Sequence, residues 1–320
     1  MDNTETKTPE QMLEDWLSDH TDSDNEYVGD PADEEEYKRM LLHGVSSELL
    51  TAMEIYAYAC YTGTKLFPQD FTKSRDCLLR LLELSDGPQA ADWCNTLGYI
   101  YWYGRTNHGE PQYDLALRYF TVAAQAGIYE AQYKIADMMI QGIALPKNPL
   151  LGAGVLDRLY GENREHIELE HFGCKFADIA LRLGRIYQEG IGFEKDPENA
   201  LSLYLQADFA IKKRREFYDY YGDASVEKRI AEALQNAKDN MPSDYFKDRL
   251  EFDNPALVGV LLRESNGIDV CLLKKDEELY IVAKRVPMDD RDERKYLFCL
   301  PELDICVLAD SVVMKVEGIT

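Results

Sequence analysis

The chain has 320 residues, more than one compact core usually holds, so two or more units are expected. It carries 59 Asp+Glu against 35 Lys+Arg, a formal net charge of −24. That field repels phosphate backbones and anionic bilayers, so the expected partners include no nucleic acid and no membrane.

The first 36 residues contain 14 acids and one lysine, a net of −13. Low apolar content there predicts an acidic, largely disordered arm over 1–45. One short amphipathic helix interrupts it: Thr8-Pro9-Glu10-Gln11 reads as an N-cap, a Pro at the first helical position and a capping-box Gln. Met12, Leu13, Trp16 and Leu17 follow at helical spacing. This helix either docks back on the body or is offered to a partner's groove.

From Ser46 to about Asn240 the apolar pattern is helical, in runs divided by Gly63, Gly87, Gly104, Gly127, Gly142, Gly190 and Gly222. The runs repeat. Leu97-Gly98-x-x-Tyr101-x-x-Gly104 recurs as Ile135-Ala136-x-x-Met139-x-x-Gly142 and as Leu183-Gly184-x-x-Tyr187-x-x-Gly190. Tyr56-Ala57-x-x-Cys60-x-x-Gly63 is a decayed copy. The small residues Ala57, Gly98, Ala136 and Gly184 stand 41, 38 and 48 residues apart. A second helix follows each copy, best seen in Ala116-x-x-Tyr119-Phe120-x-x-Ala123-Ala124-x-x-Gly127.

Small residues on one face let the partner helix approach closely, and the terminal Gly permits a left-handed cap. Each pair is a hairpin that cannot bury its face alone, so pairs stack. The combined pattern resembles the Sel-1-like repeat, a relative of the tetratricopeptide repeat. Leu183–Ala207 and Leu97–Gly127 follow it best, whereas the stretch after Gly142 is irregular, with Pro146 and Pro149. The resemblance implies an α-α superhelical solenoid over 46–245 that scaffolds protein complexes, and a bacterial source.

Asp208 to Asn240 continues as helix and includes Lys212-Lys213-Arg214-Arg215, read as a solvated basic face, the alternative being a dock for the acidic arm of the same chain. Past Pro255 the pattern changes to short β runs: Val258–Arg263, Ile268–Lys274, Leu279–Lys284, Lys295–Leu300, Asp304–Leu308 and Val312–Val316. Asn266-Gly267 between the first two is a hairpin signal. A small β-rich, barrel-like domain is therefore expected over 255–320, making the whole an α+β multidomain protein.

Chemistry is sparsely signposted. His166 and His171 flank Glu168 and Glu170, but a spacing of five turns the second imidazole about 140° from the first, against a metallopeptidase helix. The sequence contains no GxSxG and no phosphate-binding glycine loop. No catalytic, cofactor or metal residue is assigned, and an enzyme is not expected. Seven cysteines, odd in number and without CxxC, do not form a disulfide framework. With no basic-then-apolar leader and no apolar run near 18 residues, a cytoplasmic location is expected.

What remains is a binding surface. In the best-matching first helix, Tyr99, Trp102 and Tyr103 lie off the structural positions, and the family geometry would turn some of them toward the groove. Three aromatics so close are costly to leave wet and suit partner anchors. The alternative is packing on the next repeat or beneath the 105–111 loop. Equivalent off-motif positions include Gln141, Arg185 and Gln188, a polar lining suited to a protein or peptide. The leading expectation is an adaptor or scaffold. A second is an acidic inhibitor or immunity-type protein that blocks a basic site, and a third is an enzyme with its site in the β-domain.

Overall fold

The computed structural model describes residues 7–23, 25–163, 175–217 and 222–241, together with six strand segments between 260 and 315. The chain divides into two compact units, Met1–Lys147 and Asn148–Thr320.

In the first unit, α1 (Pro9–Asp19), α2 (Glu34–Ser46), α3 (Leu50–Thr62), α4 (Phe71–Leu84), α5 (Ala90–Trp102), α6 (Tyr113–Gln125) and α7 (Tyr129–Gln141) follow in order. The reciprocal Thr8–Gln11 capping box at α1 forms as the sequence predicts. The N-terminal segment as a whole differs from expectation. Described residues from 7 to 46 are mostly helical: Leu17 of α1 and Tyr37 and Leu41 of α2 are fully buried against Ala52, Ile55 and Ala59 of α3. Few apolar residues suffice there because they share one face, and Thr21 bonds the Tyr37 hydroxyl at 2.6 Å. Helix α3 is consequently covered on two sides. Ala52, Ile55 and Ala59 meet α1 and α2, while Met53 and Ala57 join the cluster containing Leu78, Leu97 and Phe120. A helix that is apolar all round is a buried one.

The helix pairs α3/α4 and α5/α6 realise the predicted repeat. A Cβ built on Gly98 would lie 2.5 Å from the Phe120 ring, closer than real contacts allow, so the pair approaches because Gly98 has no side chain. The same first-helix position accepts one closing bond in three of the hairpins. Asp70 N–H donates to the Cys60 carbonyl (2.8 Å), Gln112 N–H to Tyr101 (2.9 Å), and Asp196 N–H to Tyr187 (2.9 Å). These three acceptors are equivalent in the sequence repeat, although the intervening loops differ in length. Gly142 and Gly190 take the predicted left-handed cap.

The second unit contains α8 (Pro149–Asn163), α9 (Phe176–Glu189), α10 (Pro197–Phe217) and α11 (Asp223–Asp239). Its core joins Phe176, Ala180, Tyr204, Ala207, Ile211, Ile230 and Leu234. Gly184 lies against Tyr204 as Gly98 does against Phe120, with a built Cβ 2.6 Å from the ring. The irregular stretch after Gly142 still yields a helix, since Pro149 is tolerated in its first turn.

The reading of Lys212–Arg215 as a wholly solvated face is corrected. Lys212 is exposed, but Arg214 is fully buried. Its guanidinium bonds both Asp223 oxygens (2.9 and 3.0 Å) and reaches Asp178 (3.2 Å), tying α9, α10 and α11 together. Burial pushes the Asp178 carboxyl up, but Arg214, Arg182 and Lys175 outweigh it and hold it below the ordinary 3.8. Asp223 is raised by burial, which Arg214 only partly offsets.

Further along, backbone pairing is described for β1 (Val260–Ser265), β2 (Ile268–Lys275), β3 (Glu278–Arg285), β4 (Tyr296–Leu300), β5 (Ile305–Ala309) and β6 (Ser311–Lys315). β1-β2-β3-β6 form an antiparallel sheet and β4-β5 a pair, with Ser265 opposite Ile268. The His166–His171 segment lies outside the described residues.

Candidate functional site

The first helices of the hairpins place their off-core positions side by side. The sequence repeat aligns Tyr58 of α3, Tyr99 of α5 and Asp137 of α7, and one turn later Thr62, Tyr103 and Gln141. All six are partly or largely exposed.

The structure brings Tyr99, Trp102 and Tyr103 together around Lys134 of α7. The Lys134 ammonium sits 5.4, 4.9 and 5.8 Å from their ring centroids, and Lys134 is only 7% exposed. Burying a lysine is costly, and three electron-rich ring faces offset part of that cost. Tyr99 also meets Phe120 edge-on, and its hydroxyl lies 3.3 Å from that of Tyr133. Trp102 packs edge-on to Tyr113. Arg105 places its guanidinium over Tyr61, Phe71 and Tyr103 at 4.5–5.0 Å.

The three aromatics therefore do two jobs. Their inner faces hold the unit's own cations, and their outer edges, Tyr103 at 49% exposure above all, face water. Of the two readings of these rings in the sequence, the packing one is seen here: they pack on Lys134 of the next repeat and on Arg105 of the 105–111 loop.

Beside the rings runs an acidic row that sequence reading missed: Glu54 of α3, Asp92 of α5 and Glu130 of α7. Trp93 donates its indole N–H to Glu54 (2.9 Å), and Asn95 its amide to Glu130 (2.7 Å). Partial burial, then Glu54 and Glu130, raise the Asp92 carboxyl above its ordinary value, even though much of its surface is wet. The signal was present: Asp92 and Glu130 are separated by the same 38 residues as Gly98 and Ala136. The row and the ring edges suit a partner surface bearing cations and apolar groups.

The other predicted residues lie elsewhere. Gln141 is exposed at the end of α7. Arg185 pairs with Glu189 within α9. Gln188 accepts from the Tyr204 hydroxyl (2.5 Å) and donates to Asn236 (2.6 Å). Among the described residues no His, Cys, Asp and Glu cluster is placed to hold a metal, and no helix is long and apolar enough to cross a membrane.

The Sel1 repeat family matches residues 50–86, 94–128, 130–153 and 178–207. No curated protein matches the chain. Among solved structures, a Sel1 repeat protein from Oxalobacter formigenes aligns at 16% identity and a TM-score of 0.43, over 72% of this chain and 89% of that one. The c5321 protein, a protective antigen of uropathogenic Escherichia coli with an SLR fold, aligns at 18% identity and 0.39, over 71% of this chain and half of that one. The four matched segments begin in α3, α5, α7 and α9, and these segments are Sel1-like repeats.

Proposed function

We propose that the chain is an adaptor or scaffold that binds a partner protein or peptide on the face made by α3, α5 and α7. Sel1 repeats are in general protein–protein interaction modules. The observation that carries this reading is the ring cluster of Tyr99, Trp102 and Tyr103, held rigid from behind by Lys134 and Arg105 while its edges stay wet. A preorganised aromatic patch loses little entropy on binding, as hot spots require. The protein acts without chemistry of its own, in the cytoplasm, with Gln141, Arg185 and Gln188 as secondary polar contacts. Residues 46–245 form the binding solenoid, and 255–320 form a small β-rich, barrel-like module for a second contact.

The test is capture from lysate of the source cells with the intact chain and with Tyr99, Trp102 and Tyr103 all changed to Ala, melting curves confirming that both fold. The expected result is a defined partner recovered by the intact chain and reduced at least tenfold by the variant. Equal recovery would show that the rings are not the anchors.

The acidic row favours a second reading, an inhibitor that covers a basic site. On that reading capture is stripped by about 1 M salt, because surface charge pairs are screened within about 3 Å. On the adaptor reading it survives.

A further inference from the structure

The acidic row converges on the first turns of α5, and it encloses a buried oxygen. Trp93 holds Glu54 of α3 (2.9 Å), Asn95 holds Glu130 of α7 (2.7 Å), and Asp92, exposed, precedes both donors on α5. An acid in the first turn of a helix is ordinary, which accounts for Asp92 and Glu130. It does not account for Glu54, which lies beyond the first turn of α3. Nor does it account for Asn95. That residue is 8% exposed, and its Oδ1 is covered and has no hydrogen-bond partner. The orientation of this amide follows from its neighbour: a carboxylate only accepts, so Nδ2 faces Glu130 and the other atom is the oxygen. A buried amide oxygen without a donor is costly. Asp92 and Asn95 are three residues apart, so they share one face of α5. Burial, then Glu54 and Glu130, raise the Asp92 carboxyl, and no basic group among the described residues offsets them there. Lys134, one turn beyond Glu130, turns its ammonium to the rings of Tyr99, Trp102 and Tyr103.

We propose that this turn of α5 receives the guanidinium of an arginine on the partner, with Asp92 and Asn95 Oδ1 as its acceptors and Glu54 and Glu130 as the charges around it. Three carboxylates and an amide oxygen offer acceptors only, so the occupant is a cation rich in donors. A guanidinium carries five N–H groups in one plane, enough to engage a carboxylate through two of them and an amide oxygen one helical turn away through a third. It is also more weakly hydrated than an ammonium, so it gives up less water on approaching a covered oxygen, and lysine fits less well. Farther along the same helix the exposed ring of Tyr103 offers an apolar contact to the chain that carries the arginine. The inference names the group recognised on the α3–α5–α7 face and rests on the adaptor reading for its source, whereas the chemistry of the site does not.

The probe is N-acetyl-arginine N-methylamide added to the full ¹⁵N-labelled chain. NMR reads the Asn95 side-chain amide and the Trp93 indole N–H, the two donors that hold the row. The matching derivatives of lysine and of citrulline, which keeps the shape of arginine without its charge, are the comparisons. The expected result is a saturable shift at both positions, with lysine binding about threefold more weakly and citrulline about tenfold more weakly. Asp92→Asn keeps the shape of the side chain and removes one of the crowded charges. It should weaken the arginine derivative about tenfold, the loss of one charge-assisted contact, without lowering the melting temperature at pH 7. No saturable shift, lysine or citrulline binding as well as arginine, or unchanged binding in Asp92→Asn would overturn the proposal. The probe assay contains no partner, so its failure leaves capture through Tyr99, Trp102 and Tyr103 standing, and a failure of capture leaves the probe result standing.

Discussion

Changing Gly98 to Ala adds one methyl group inside the α5/α6 pair, and its cost can be worked from the structure. The new Cβ would lie 2.5 Å from two atoms of the Phe120 ring and 2.9 Å from a third, where ordinary contact begins near 3.4 Å. Phe120 is fully buried in a cluster that includes Leu78, Leu97 and Ala123, so the ring has little room to retreat. Overpacking of this kind costs about 1–3 kcal/mol. Helix propensity works the other way, since Ala in place of a helical Gly gains about 0.5–1 kcal/mol. The net expectation is a loss of about 0–2.5 kcal/mol, where the control below gains. Gly154 of α8 is the control: nothing lies within 4 Å of its built Cβ, so Ala there should gain the propensity term alone. The assay is urea unfolding of the full chain. Trp93 and Trp102, both on α5, give a fluorescence signal local to the first unit, and circular dichroism follows the helices of both. Phe120→Leu should recover part of the loss in the Gly98→Ala background and be destabilising alone, a coupling that a double-mutant cycle measures. If Gly98→Ala stabilises the chain as much as Gly154→Ala, the close-approach explanation of the repeat is wrong.

Other outcomes follow from single features. Arg214→Met should cost about 3–5 kcal/mol in circular dichroism melts, because it removes the main counter-charge and the hydrogen bonds of the buried Asp178 and Asp223; Lys212→Ala should stay within about 0.5 kcal/mol. The same pair gives a pH signature. Asp178 is held below its ordinary 3.8 in the folded protein, so its contribution is complete above 3.8 and fades as pH falls through the lower folded value. In Arg214→Met the already raised Asp223 rises further and Asp178 loses its largest counter-charge, so the substitution should cost less at pH 4 than at pH 7, readable by denaturation at a series of pH values. Gly192→Ala should destabilise the second unit by more than 1 kcal/mol in the same melts, since its Cβ would meet the Pro149 carbonyl oxygen at 2.6 Å and its φ is +75°.

The helix pairs were legible because their signals are local: a small residue where two helices touch, an aromatic opposite, and a Gly at the turn. What stayed hidden depended on which face of a helix is covered. A run of four basic residues looks solvated, yet Arg214 falls on the stripe of Ala207 and Ile211, three and four residues apart, which α9 and α11 enclose. Lys134 is the same case, on the stripe of Ala131 and Met138. In the N-terminal segment average composition misled, since Leu17, Tyr37 and Leu41 are few but meet one surface of α3. The aromatic cluster was legible from its residues, whereas its internal cations were not, because they come from α7 and the 105–111 loop.

Photocrosslinking at Tyr103 tests most directly whether the α3–α5–α7 face is where a partner sits. A benzoyl-phenylalanine would replace Tyr103 in one version of the chain and Val122 of α6 in another. The two positions are equally exposed, at 49% and 48%, so accessibility cannot explain a difference between them. After irradiation in the source cells, a defined crosslinked protein at Tyr103 and none at Val122 is the expected result. The same adduct at Val122 alone, or adducts at neither position, would contradict binding on this face.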